Sequence, residues 1–285
     1  MTRRVALLGS PLKRRHSQVM HDAAFDAAGI DARYVLMEIG PDEVEAAVAA
    51  ARGPGWLGLG VTAPYKPVVA RLVDEVEPDA RAIGAVNNVL RTADGRLVGF
   101  NSDAPGFRAA VEAAMGGSLE GLHVAVAGAG GAAHAVVYAC LTAGATRVTV
   151  GNRTTEAGER LAQRFEADRP GVVRAVLLGG DAFRTALASA DLAVNATTVG
   201  MLDPGTTIPV DLLPRQATVF DLVYVPAETP LVRAARDRGL RAANGSEMLV
   251  RQAEIAFERW TGIGGMADVM RAAVAPLLAD PAARA

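Results

Sequence analysis

The sequence is poor in cysteine and in aromatic residues, and it carries no excess of either charge. Its 285 residues include one cysteine, Cys140, and Phe, Trp and Tyr together make up 5%. A single cysteine excludes an internal disulfide framework, and the four histidines do not stand at the spacing of metal ligands, so we expect no metal site. Cys140 lies in an apolar run and is expected to be a buried helix residue, not a nucleophile.

Charge balance and the length of the apolar runs narrow the class of partner. Lys and Arg total 29 against 31 Asp and Glu, which predicts no basic surface for nucleic acid or for an anionic membrane. No apolar run is long enough to span a bilayer, and the run near the N-terminus breaks at Gly9 and Pro11, too early for a signal peptide. We therefore expect a cytoplasmic protein that binds a small molecule, as a monomer or a homodimer, with no nucleic-acid or membrane partner.

Apolar sequence, by contrast, is abundant and falls into two α/β series. Hydrophobic residues make up 51% of the chain, enough for the cores of two domains. The first series has a βαβαβ order, which favours a parallel sheet, and continues into a β-hairpin and a helix. The predicted strands are 5–9, 34–39, 57–62, 85–91 and 97–102, and the predicted helices are 18–28, 42–51 and 103–115.

The second series begins at 122, after a domain boundary predicted at 116–121. Its strands alternate with helices throughout, so we expect a second α/β domain with a parallel sheet. The predicted strands are 124–127, 147–151, 173–178, 192–195 and 218–223, and the predicted helices are 132–143, 154–167, 181–189, 230–238 and 247–261. Gln252 interrupts the apolar stripe of the last helix, and such an amide needs hydrogen-bond partners or a cavity.

A glycine-rich turn follows the strand at 124–127. The spacing Gly128-x-Gly130-x-x-Ala133 fits the dinucleotide fingerprint, in which small residues permit a tight turn, a close approach of pyrophosphate and the packing of helix on strand. Backbone N–H groups and the positive end of the helix dipole would face the phosphates. The bare pattern also suits a glycine turn in any α/β domain.

The next strand ends at Asn152-Arg153-Thr154, where an NAD-binding domain usually carries an acidic residue for the ribose 2′-hydroxyl. An arginine there suits the 2′-phosphate of NADP, since a guanidinium binds phosphate through paired hydrogen bonds. The alternative is that Arg153 is a solvated surface charge and Thr154 caps the next helix.

Two charged residues of the first series follow predicted strands. Lys66 comes just after the strand at 57–62, and Asp103 comes after the strand at 97–102. If the two converge at the carboxyl ends of these strands, they could move a proton to or from a substrate oxygen. The alternative is that Lys66 is a solvated loop residue and Asp103 is a helix N-cap.

Taken together, these stretches resemble the shikimate and quinate dehydrogenase family. The similarity covers nearly the whole chain and rests on several motifs in the family's order. They are Val61-Thr62-Ala63-Pro64-Tyr65-Lys66, Gly84-Ala85-Val86-Asn87, Asn101-Ser102-Asp103-Ala104-Pro105-Gly106, the glycine loop, Asn152-Arg153-Thr154, Asn195-Ala196-Thr197 with Gly200-Met201, and the stretch 245–253.

The resemblance implies roles for individual residues. Lys66 and Asp103 would form the catalytic pair. Substrate contacts would come from Arg15, Ser17, Thr62, Asn87, Tyr224 and Gln252. Cofactor contacts would come from Gly128, Ala129, Gly130, Gly131, Ala132, Asn152, Arg153, Thr154, Asn195, Thr197, Val223, Gly245 and Met248.

The resemblance also implies the domain organisation and the reaction. Residues 1–116 and 245–285 would form a discontinuous substrate-binding and catalytic domain, and 117–244 a Rossmann-type NADP-binding domain. The expected enzyme is an NAD(P)-dependent dehydrogenase of the aromatic amino acid (chorismate) pathway that interconverts 3-dehydroshikimate and shikimate. Hydride would move at C3 while Lys66 handles the proton of the C3 oxygen. The alternatives are a dehydrogenase for another cyclohexene or cyclohexane carboxylic acid, quinate or aminoshikimate, and a non-catalytic dinucleotide-binding regulatory module.

The chain departs from the family most in its first loop. The family has two serines there that hold the substrate carboxylate, whereas an ungapped alignment puts Arg15 at the first serine, Ser17 at the second and Gln18 at a proline. Arg15 could bind a carboxylate, could favour a different acid or could point into solvent. Asn88 and Ser102 replace usual threonines. Ala157 replaces a second basic residue common in NADP-using members, which leaves NAD as the alternative cofactor.

Overall fold

The computed structural model describes residues 2–12 and 14–279, which form two compact units. The first unit runs to Asp103 and resumes from Val250 to Leu277, and the second comprises Ala104–Leu249 together with Leu278 and Ala279. The first unit therefore takes its chain from two separate stretches. Lys13 of the altered first loop and residues 280–285 of the predicted first domain lie outside the described residues.

The first unit contains a mainly parallel six-stranded sheet in the order β2-β1-β3-β5-β6-β4. Its elements are β1 (Arg3–Gly9), α1 (His16–Ala27), β2 (Ala32–Glu38), α2 (Val44–Ala50), β3 (Trp56–Val61), α3 (Lys66–Val69), β4 (Glu75–Val76), α4 (Pro78–Ile83), β5 (Asn88–Arg91) and β6 (Leu97–Phe100). β1 pairs in parallel with both β2 and β3, which confirms the βαβαβ order, and β5 pairs antiparallel with β6 as the predicted hairpin. The short elements α3, β4 and α4 were not predicted, because two to six residues are too few to show a period.

The second unit contains a six-stranded sheet in which every strand pairs in parallel, in the order β12-β11-β10-β7-β8-β9. From α5, which begins at the boundary residue Asp103, its elements are α5 (Asp103–Met115), β7 (His123–Ala127), α6 (Gly131–Thr142), β8 (Arg147–Asn152), α7 (Thr155–Glu166), β9 (Val173–Leu177), α8 (Asp181–Leu187), β10 (Leu192–Asn195), β11 (Thr218–Asp221), α9 (Pro230–Asp237) and β12 (Arg241–Asn244). This is the predicted Rossmann-type arrangement, with β12 added at one edge. The strand predicted at 173–178 ends one residue earlier, at Leu177. The strand predicted at 218–223 ends at Asp221, whose side chain makes several hydrogen bonds.

Both sheets are held by apolar cores. In the second unit residues 124–127 of β7 and 192–194 of β10 are completely buried, as expected for a parallel sheet covered on both faces. Cys140 is buried in α6, as predicted, and burial raises the pKa of its thiol to about 12. A thiol in this environment stays protonated and is not a nucleophile.

Two C-terminal helices complete the described chain, α10 (Ser246–Thr261) and α11 (Ala267–Ala279). From Val250 onward, α10 belongs to the first unit and is fixed there by its large side chains. The indole Nε1 of Trp260 donates to the Val89 carbonyl at 2.9 Å, and the Arg259 guanidinium lies 4.8 Å from the Phe100 ring centroid. The Val89 carbonyl oxygen lies so close to Gly58 that a Cβ there would be only 2.0 Å from it, so this position requires glycine. These contacts fix the position of α10, and with it Gln252, in the first unit.

None of the helices within residues 2–12 and 14–279 combines the length and the apolar character that a bilayer crossing requires.

Candidate active site

Lys66 and Asp103 meet in the first unit. Lys66 opens α3, five residues after the end of β3, and Asp103 opens α5, three residues after the end of β6. The Lys66 Nζ lies 2.6 Å from Asp103 Oδ2, and the two side chains are 22% and 15% exposed. The carboxylate therefore holds the lysine instead of capping a helix, and the lysine is not a freely solvated loop residue. A half-buried ammonium–carboxylate pair that still reaches solvent can pass a proton to or from a bound oxygen.

A hydrogen-bonded cluster of amides and a hydroxyl precedes Asp103 in the same unit. Asn87, Asn88 and Ser102 are 5%, 4% and 0% exposed. The backbone N–H of Ser102 donates to Asn87 Oδ1 at 2.9 Å, and Asn88 Nδ2 donates to Ser102 Oγ at 2.8 Å. Ser102 Oγ in turn lies 3.4 Å from Gln252 Oε1 of α10. The structure thus brings together two predicted substrate residues, Asn87 and Gln252, through Ser102, one of the two residues that replace usual family threonines.

Thr62 is held where β3 ends. Its N–H donates to the Leu8 carbonyl at 2.9 Å, and its carbonyl accepts from the Tyr65 N–H at 3.0 Å. The Tyr65 hydroxyl donates to the Ile39 carbonyl at 2.6 Å, which anchors the turn that leads into Lys66. A Cβ at Gly9 would lie 2.4 Å from the Thr62 methyl carbon, so β1 can approach Thr62 only with glycine at its end.

In the first loop, Arg15 is exposed and immediately precedes α1. Its Nε donates to Gln18 Oε1 at 3.0 Å, so the two departures from the family pattern bind each other. Ser17 is half-buried in the first turn of α1. His16 beside it is 4% exposed, and burial together with the nearby Arg14 charge lowers the pKa of its imidazole. Neither Arg15 nor Gln18 contacts the Lys66–Asp103 pair among the described residues.

The glycine loop lies between β7 and α6 in the second unit. Gly128 has φ +106°, and a Cβ there would lie 2.9 Å from the Thr197 methyl carbon and 3.0 Å from the Ala196 carbonyl oxygen. A Cβ at Gly130 or Gly131 would meet no atom within 4 Å. Gly128 is therefore required by the fold, whereas the space beside Gly130 and Gly131 is open. Because no side chain caps α6, the first N–H groups of this twelve-residue helix face that space, which fits a pyrophosphate.

The tip of β8 carries Asn152, Arg153 and Thr154. Asn152 Nδ2 donates to the Thr154 carbonyl at 2.9 Å and to its hydroxyl at 3.1 Å. The Thr154 side chain does not cap α7, which removes the alternative role weighed for it. Arg153 is exposed, and no ion pair or hydrogen bond engages its guanidinium within the part of the chain that the structure describes. That geometry leaves the guanidinium available for a phosphate.

Asn195 and Thr197 turn inward at the end of β10. Asn195 is 1% exposed; its Nδ2 donates to Asp221 Oδ1 at 2.8 Å, and its Oδ1 accepts from the Thr197 hydroxyl at 2.7 Å and the Thr207 hydroxyl at 3.0 Å. The sequence predicted these two side chains as cofactor contacts. Their side-chain polar atoms are engaged with each other, with Asp221 and with Thr207, and their contact with the cofactor stays a prediction.

Asp221, at the end of β11, was not predicted as a site residue. It is completely buried, its Oδ1 accepts from the Val223 N–H at 3.0 Å, and its Oδ2 accepts from the Thr229 hydroxyl at 2.7 Å. Burial raises the pKa of its carboxyl, while these hydrogen bonds and that from Asn195 oppose the shift. A polar residue that ends a buried parallel strand was the signal in the sequence that could have identified it.

The remaining predicted residues of the second unit surround the stretch after β11. Tyr224 follows Val223 and is half-buried, and Met248 on α10 is 9% exposed. The Gly245 N–H donates to the Val223 carbonyl at 3.2 Å, and a Cβ at Gly245 would lie 2.2 Å from the Leu222 carbonyl oxygen. Asp221, Val223 and Gly245 thus form one hydrogen-bonded turn region at the carboxyl ends of β11 and β12.

Within the described residues there is no group of three His, Cys, Asp or Glu side chains placed to hold a metal ion. The absence of a metal stays a prediction.

A parallel Rossmann-type sheet with an open glycine loop, in a chain that also carries a lysine–aspartate pair, defines a class of protein: the NAD(P)-dependent oxidoreductases. Three family models match in succession. They are the shikimate dehydrogenase substrate binding domain at residues 7–89, shikimate/quinate 5-dehydrogenase at 110–202 and the shikimate 5′-dehydrogenase C-terminal domain at 245–275. The chain belongs to the shikimate dehydrogenase family.

Individual relatives agree with the family models. The chain is 41% identical over 282 residues to a shikimate dehydrogenase (NADP(+)) of Symbiobacterium thermophilum, which covers 97% of this chain and 95% of the relative. It is also similar to the crystal structure of shikimate 5-dehydrogenase from Thermus thermophilus in complex with NADP(H) and shikimate, with TM-score 0.85, 36% identity and coverage of 96% and 99%. Quinate dehydrogenase from Corynebacterium glutamicum in complex with NAD has TM-score 0.90, 32% identity and coverage of 96% and 99%. These findings confirm the resemblance, the fold class and the class of enzyme.

Proposed function

We propose that this protein catalyses the NADP-dependent interconversion of 3-dehydroshikimate and shikimate. The observation that carries the proposal is the 2.6 Å contact between Lys66 Nζ and Asp103 Oδ2, beside the buried amides of Asn87 and the hydroxyl of Ser102. A proton-transferring pair beside hydrogen-bonding groups suits the oxidation of one hydroxyl on a polyhydroxylated ring. The names of the Symbiobacterium relative and the Thermus complex support NADP and shikimate.

The loop of the second unit supports the cofactor assignment. The open space beside Gly130 and Gly131, with the uncapped start of α6, would hold the pyrophosphate, and the Arg153 guanidinium would bind a 2′-phosphate. The nicotinamide ring of a bound dinucleotide would accept or donate the hydride. Asn195, Thr197 and Asp221 would hold the surrounding loops in shape.

In the direction of reduction, the Lys66 ammonium would donate its proton to the C3 oxygen as negative charge develops there. Asp103, 2.6 Å away, would keep the ammonium in place and balance its charge. In the direction of oxidation, Lys66 would take the proton from the C3 hydroxyl.

The predicted roles of the other residues are part of the proposal. Thr62, Asn87, Tyr224 and Gln252 would bind the ring hydroxyls or the carboxylate, and Ser17 and Arg15 would bind the carboxylate. Residues 1–116 with 245–285 would form the substrate-binding and catalytic domain, and 117–244 the NADP-binding domain. The cytoplasmic location and the monomeric or dimeric state stay predictions.

A spectrophotometric assay with 3-dehydroshikimate and either NADPH or NADH tests the proposal. We expect oxidation of NADPH that depends on the ketone, and weaker use of NADH. Direct titration of NADPH fluorescence supplies a second readout. If the folded protein binds NADPH but consumes neither cofactor with this ketone, the proposed reaction is wrong.

The second candidate is a quinate or aminoshikimate dehydrogenase. The exposed Arg15–Gln18 pair in the loop where family members hold the carboxylate favours it, as does the similarity to a quinate dehydrogenase bound to NAD. Assays with shikimate, quinate and aminoshikimate, each with NADP and NAD, distinguish these activities. A non-catalytic regulatory module would bind NADP and oxidise none of the three acids.

A further inference from the structure

We propose that the second unit binds a small organic phosphate in a basic cleft at the amino-terminal ends of its strands. The cleft has a volume of about 200 Å³ and lies between α8 and the strands β7, β8 and β9. Two arginines and a histidine line it. The glycine loop lies at the opposite, carboxyl ends of the strands, so this site is separate from the proposed cofactor site and independent of the proposed reaction.

The cleft exists because α8 fills the space above the sheet only near the carboxyl end of β8. There the completely buried Phe183 packs on Gly151, and a Cβ at Gly151 would lie 2.6 Å from its ring. The residues that α8 and the turn after it present to the cleft are all small: Ala182, Thr185, Ala186 and Ser189. Their spacing is that of one helical face. Because these side chains are short, the face of the sheet below them stays uncovered.

The register of the strands places both arginines on that uncovered face. Arg147 of β8 pairs with His123 of β7. Arg174 of β9 pairs with Thr149, which lies two residues after Arg147 in β8. Paired residues of parallel strands project to the same face, as do residues two apart in one strand. The spacing of strands and the rise per residue put the two arginine Cα atoms about 8 Å apart, so their long side chains can reach a single anion.

The positive charge of the cleft is not balanced by the protein. Neither the Arg147 nor the Arg174 guanidinium makes an ion pair or a hydrogen bond with a described residue, and no described Asp or Glu lines the cleft. The charge of Arg147 reaches His123: burial lowers the pKa of the imidazole and Arg147 lowers it further, against the opposing Ser189 hydrogen bond and Asp191 charge. Two unpaired guanidinium groups favour phosphate, which each can bind through paired hydrogen bonds.

His123 is a second, independent indication of a ligand. Its ring lines the cleft, is 9% exposed, and has Nδ1 3.0 Å from the Ser189 carbonyl oxygen. A carbonyl oxygen only accepts, so Nδ1 carries a proton. Nε2 is buried and has no hydrogen-bond partner in the part of the chain that the structure describes. Buried polar atoms normally have a partner, and a phosphate suits either form of Nε2, because its oxygens accept and its P–OH group donates.

The size and the walls of the cleft define the class of ligand. A volume of about 200 Å³ is below the roughly 300–1,000 Å³ of pockets for drug-sized molecules, which selects a small ligand over a dinucleotide. Val176, Ala182 and Ala186 add apolar surface beside the charged groups. A phosphate monoester with a short carbon chain matches both features, because its phosphoryl group meets the arginines and its chain meets the apolar surface. Inorganic phosphate shares only the first of these contacts.

Calorimetric titration of the full chain with n-propyl phosphate and with inorganic phosphate tests the site. Each titration is run with and without saturating NADP, which would block phosphate binding at Arg153. We expect one molecule of propyl phosphate to bind with the same Kd in both conditions, about tenfold more tightly than inorganic phosphate. Arg147→Gln and Arg174→Gln should each raise this Kd at least about tenfold. Arg160→Gln, at an exposed position of α7, is the matched control and should leave it unchanged.

A second pair of variants distinguishes a shaped cleft from a merely basic surface. Ala182→Leu fills the cleft without a change of charge and should abolish the binding of propyl phosphate, whereas Ala188→Leu, at an exposed position outside the lining, should not. Thermal unfolding checks that each variant is folded. If Ala182→Leu does not fold, the arginine variants decide the result.

Three results would overturn the inference: binding that NADP abolishes, binding that survives Arg147→Gln and Arg174→Gln, and binding that survives a folded Ala182→Leu variant. Equal affinity for the two phosphates would overturn the assignment of an organic ligand. Calorimetry measures binding and not turnover, so a failure here leaves the proposed reaction unaffected. Lack of activity with 3-dehydroshikimate would in the same way leave this site unaffected.

Discussion

The candidate site of the first unit is built from side chains, whereas that of the second is built from backbone. In the first unit Lys66 and Asp103 keep reactive atoms partly exposed. In the second, the polar side chains of Asn195 and Asp221 are used up internally, and the open surface belongs to Gly130 and Gly131. Substitutions in the two units should therefore act differently: in the first unit they should alter chemistry and selectivity, and in the second they should alter the shape of a loop or, at Arg153, a single contact with the cofactor.

The strongest test of this contrast is Lys66→Ala. We expect kcat to fall about 10²- to 10⁴-fold, the range for loss of an acid–base group, with little change in NADPH affinity. Stopped-flow single turnovers and fluorescence titration measure the two quantities. Lys66 is one of only two lysines in the chain, and the other is Lys13.

Lys66→Arg is the matched control for charge, because arginine can pair with Asp103 but does not release its proton near neutral pH. It should fold and bind cofactor but remain slow. If Lys66→Ala retains wild-type turnover, the side-chain half of the comparison is wrong.

The next effect concerns acid stability of the first unit. His21 is 2% exposed, its ring lies 4.6 Å from that of Tyr34, and burial lowers its pKa to about 3 from 6.5. Above pH 6.5 the imidazole is neutral in both states. As the pH falls from 6.5 towards 3, only the unfolded chain takes up the proton, so stability is lost at about 1.4 kcal/mol per pH unit.

Urea unfolding at pH 7.0 and 5.0, followed by tryptophan fluorescence, measures this loss. Both tryptophans, Trp56 and Trp260, lie in the first unit, so the signal reports that unit. His21→Phe should reduce the loss between the two pH values by about 2 kcal/mol. An unchanged pH dependence in this variant would mean that His21 is not the group responsible.

A smaller effect is expected from Asp221→Asn in the second unit. The new amide N–H would face one of three donors, from Asn195, Val223 or Thr229, at a cost of about 1–3 kcal/mol. The urea midpoint by circular dichroism should fall, and NADPH should bind more weakly because the loops lose their anchor. The exposed Asp211→Asn is the control and should change neither. Lower stability with unchanged NADPH affinity would show that Asp221 stabilises the fold but does not position the loops that bind the cofactor.

The smallest effect is expected from Arg153→Ala, which removes the only side chain proposed to bind the 2′-phosphate. The Kd for NADP should rise about 10-fold, as for one charge-assisted phosphate contact, while the Kd for NAD stays the same. Arg160→Ala, an exposed arginine on α7, is the matched control. Equal weakening of NADP and NAD would show that Arg153 does not read the 2′-phosphate.

The elements that could be predicted are those with strong local signals. The apolar run at 124–127 and the glycines after it predict β7, its turn and α6, because strand, tight turn and helix each leave a pattern in adjacent residues. The two-residue strand β4 has no such pattern. The strand ends that precede Lys66 and Asp103 allowed the two residues to converge but left the solvated-loop and helix-cap alternatives open, and only the family resemblance implied that they form a pair.

Other parts of the site depend on partners far apart in the chain. Asp221 bonds to Asn195, 26 residues away, only once β10 and β11 pair. The sequence left three interpretations of Arg15 open, and the contact that the structure adds is with Gln18. Asn88 is a small change from a family threonine in the sequence, and only the structure shows that its amide hydrogen-bonds to both Asn87 and Ser102.

The sequence by itself determined the two α/β series, the glycine loop and the family, because these depend on residue order and on hydrophobic periods. Only the tertiary structure decided which polar atoms are free to meet a ligand. The backbone N–H of Ser102 orients Asn87, and the amide of Asn195 is taken up by Thr197 in its own loop and by Asp221 at the end of β11. Hydrogen-bond polarity depends on which atoms meet after the strands pair, and that information is not local in the chain.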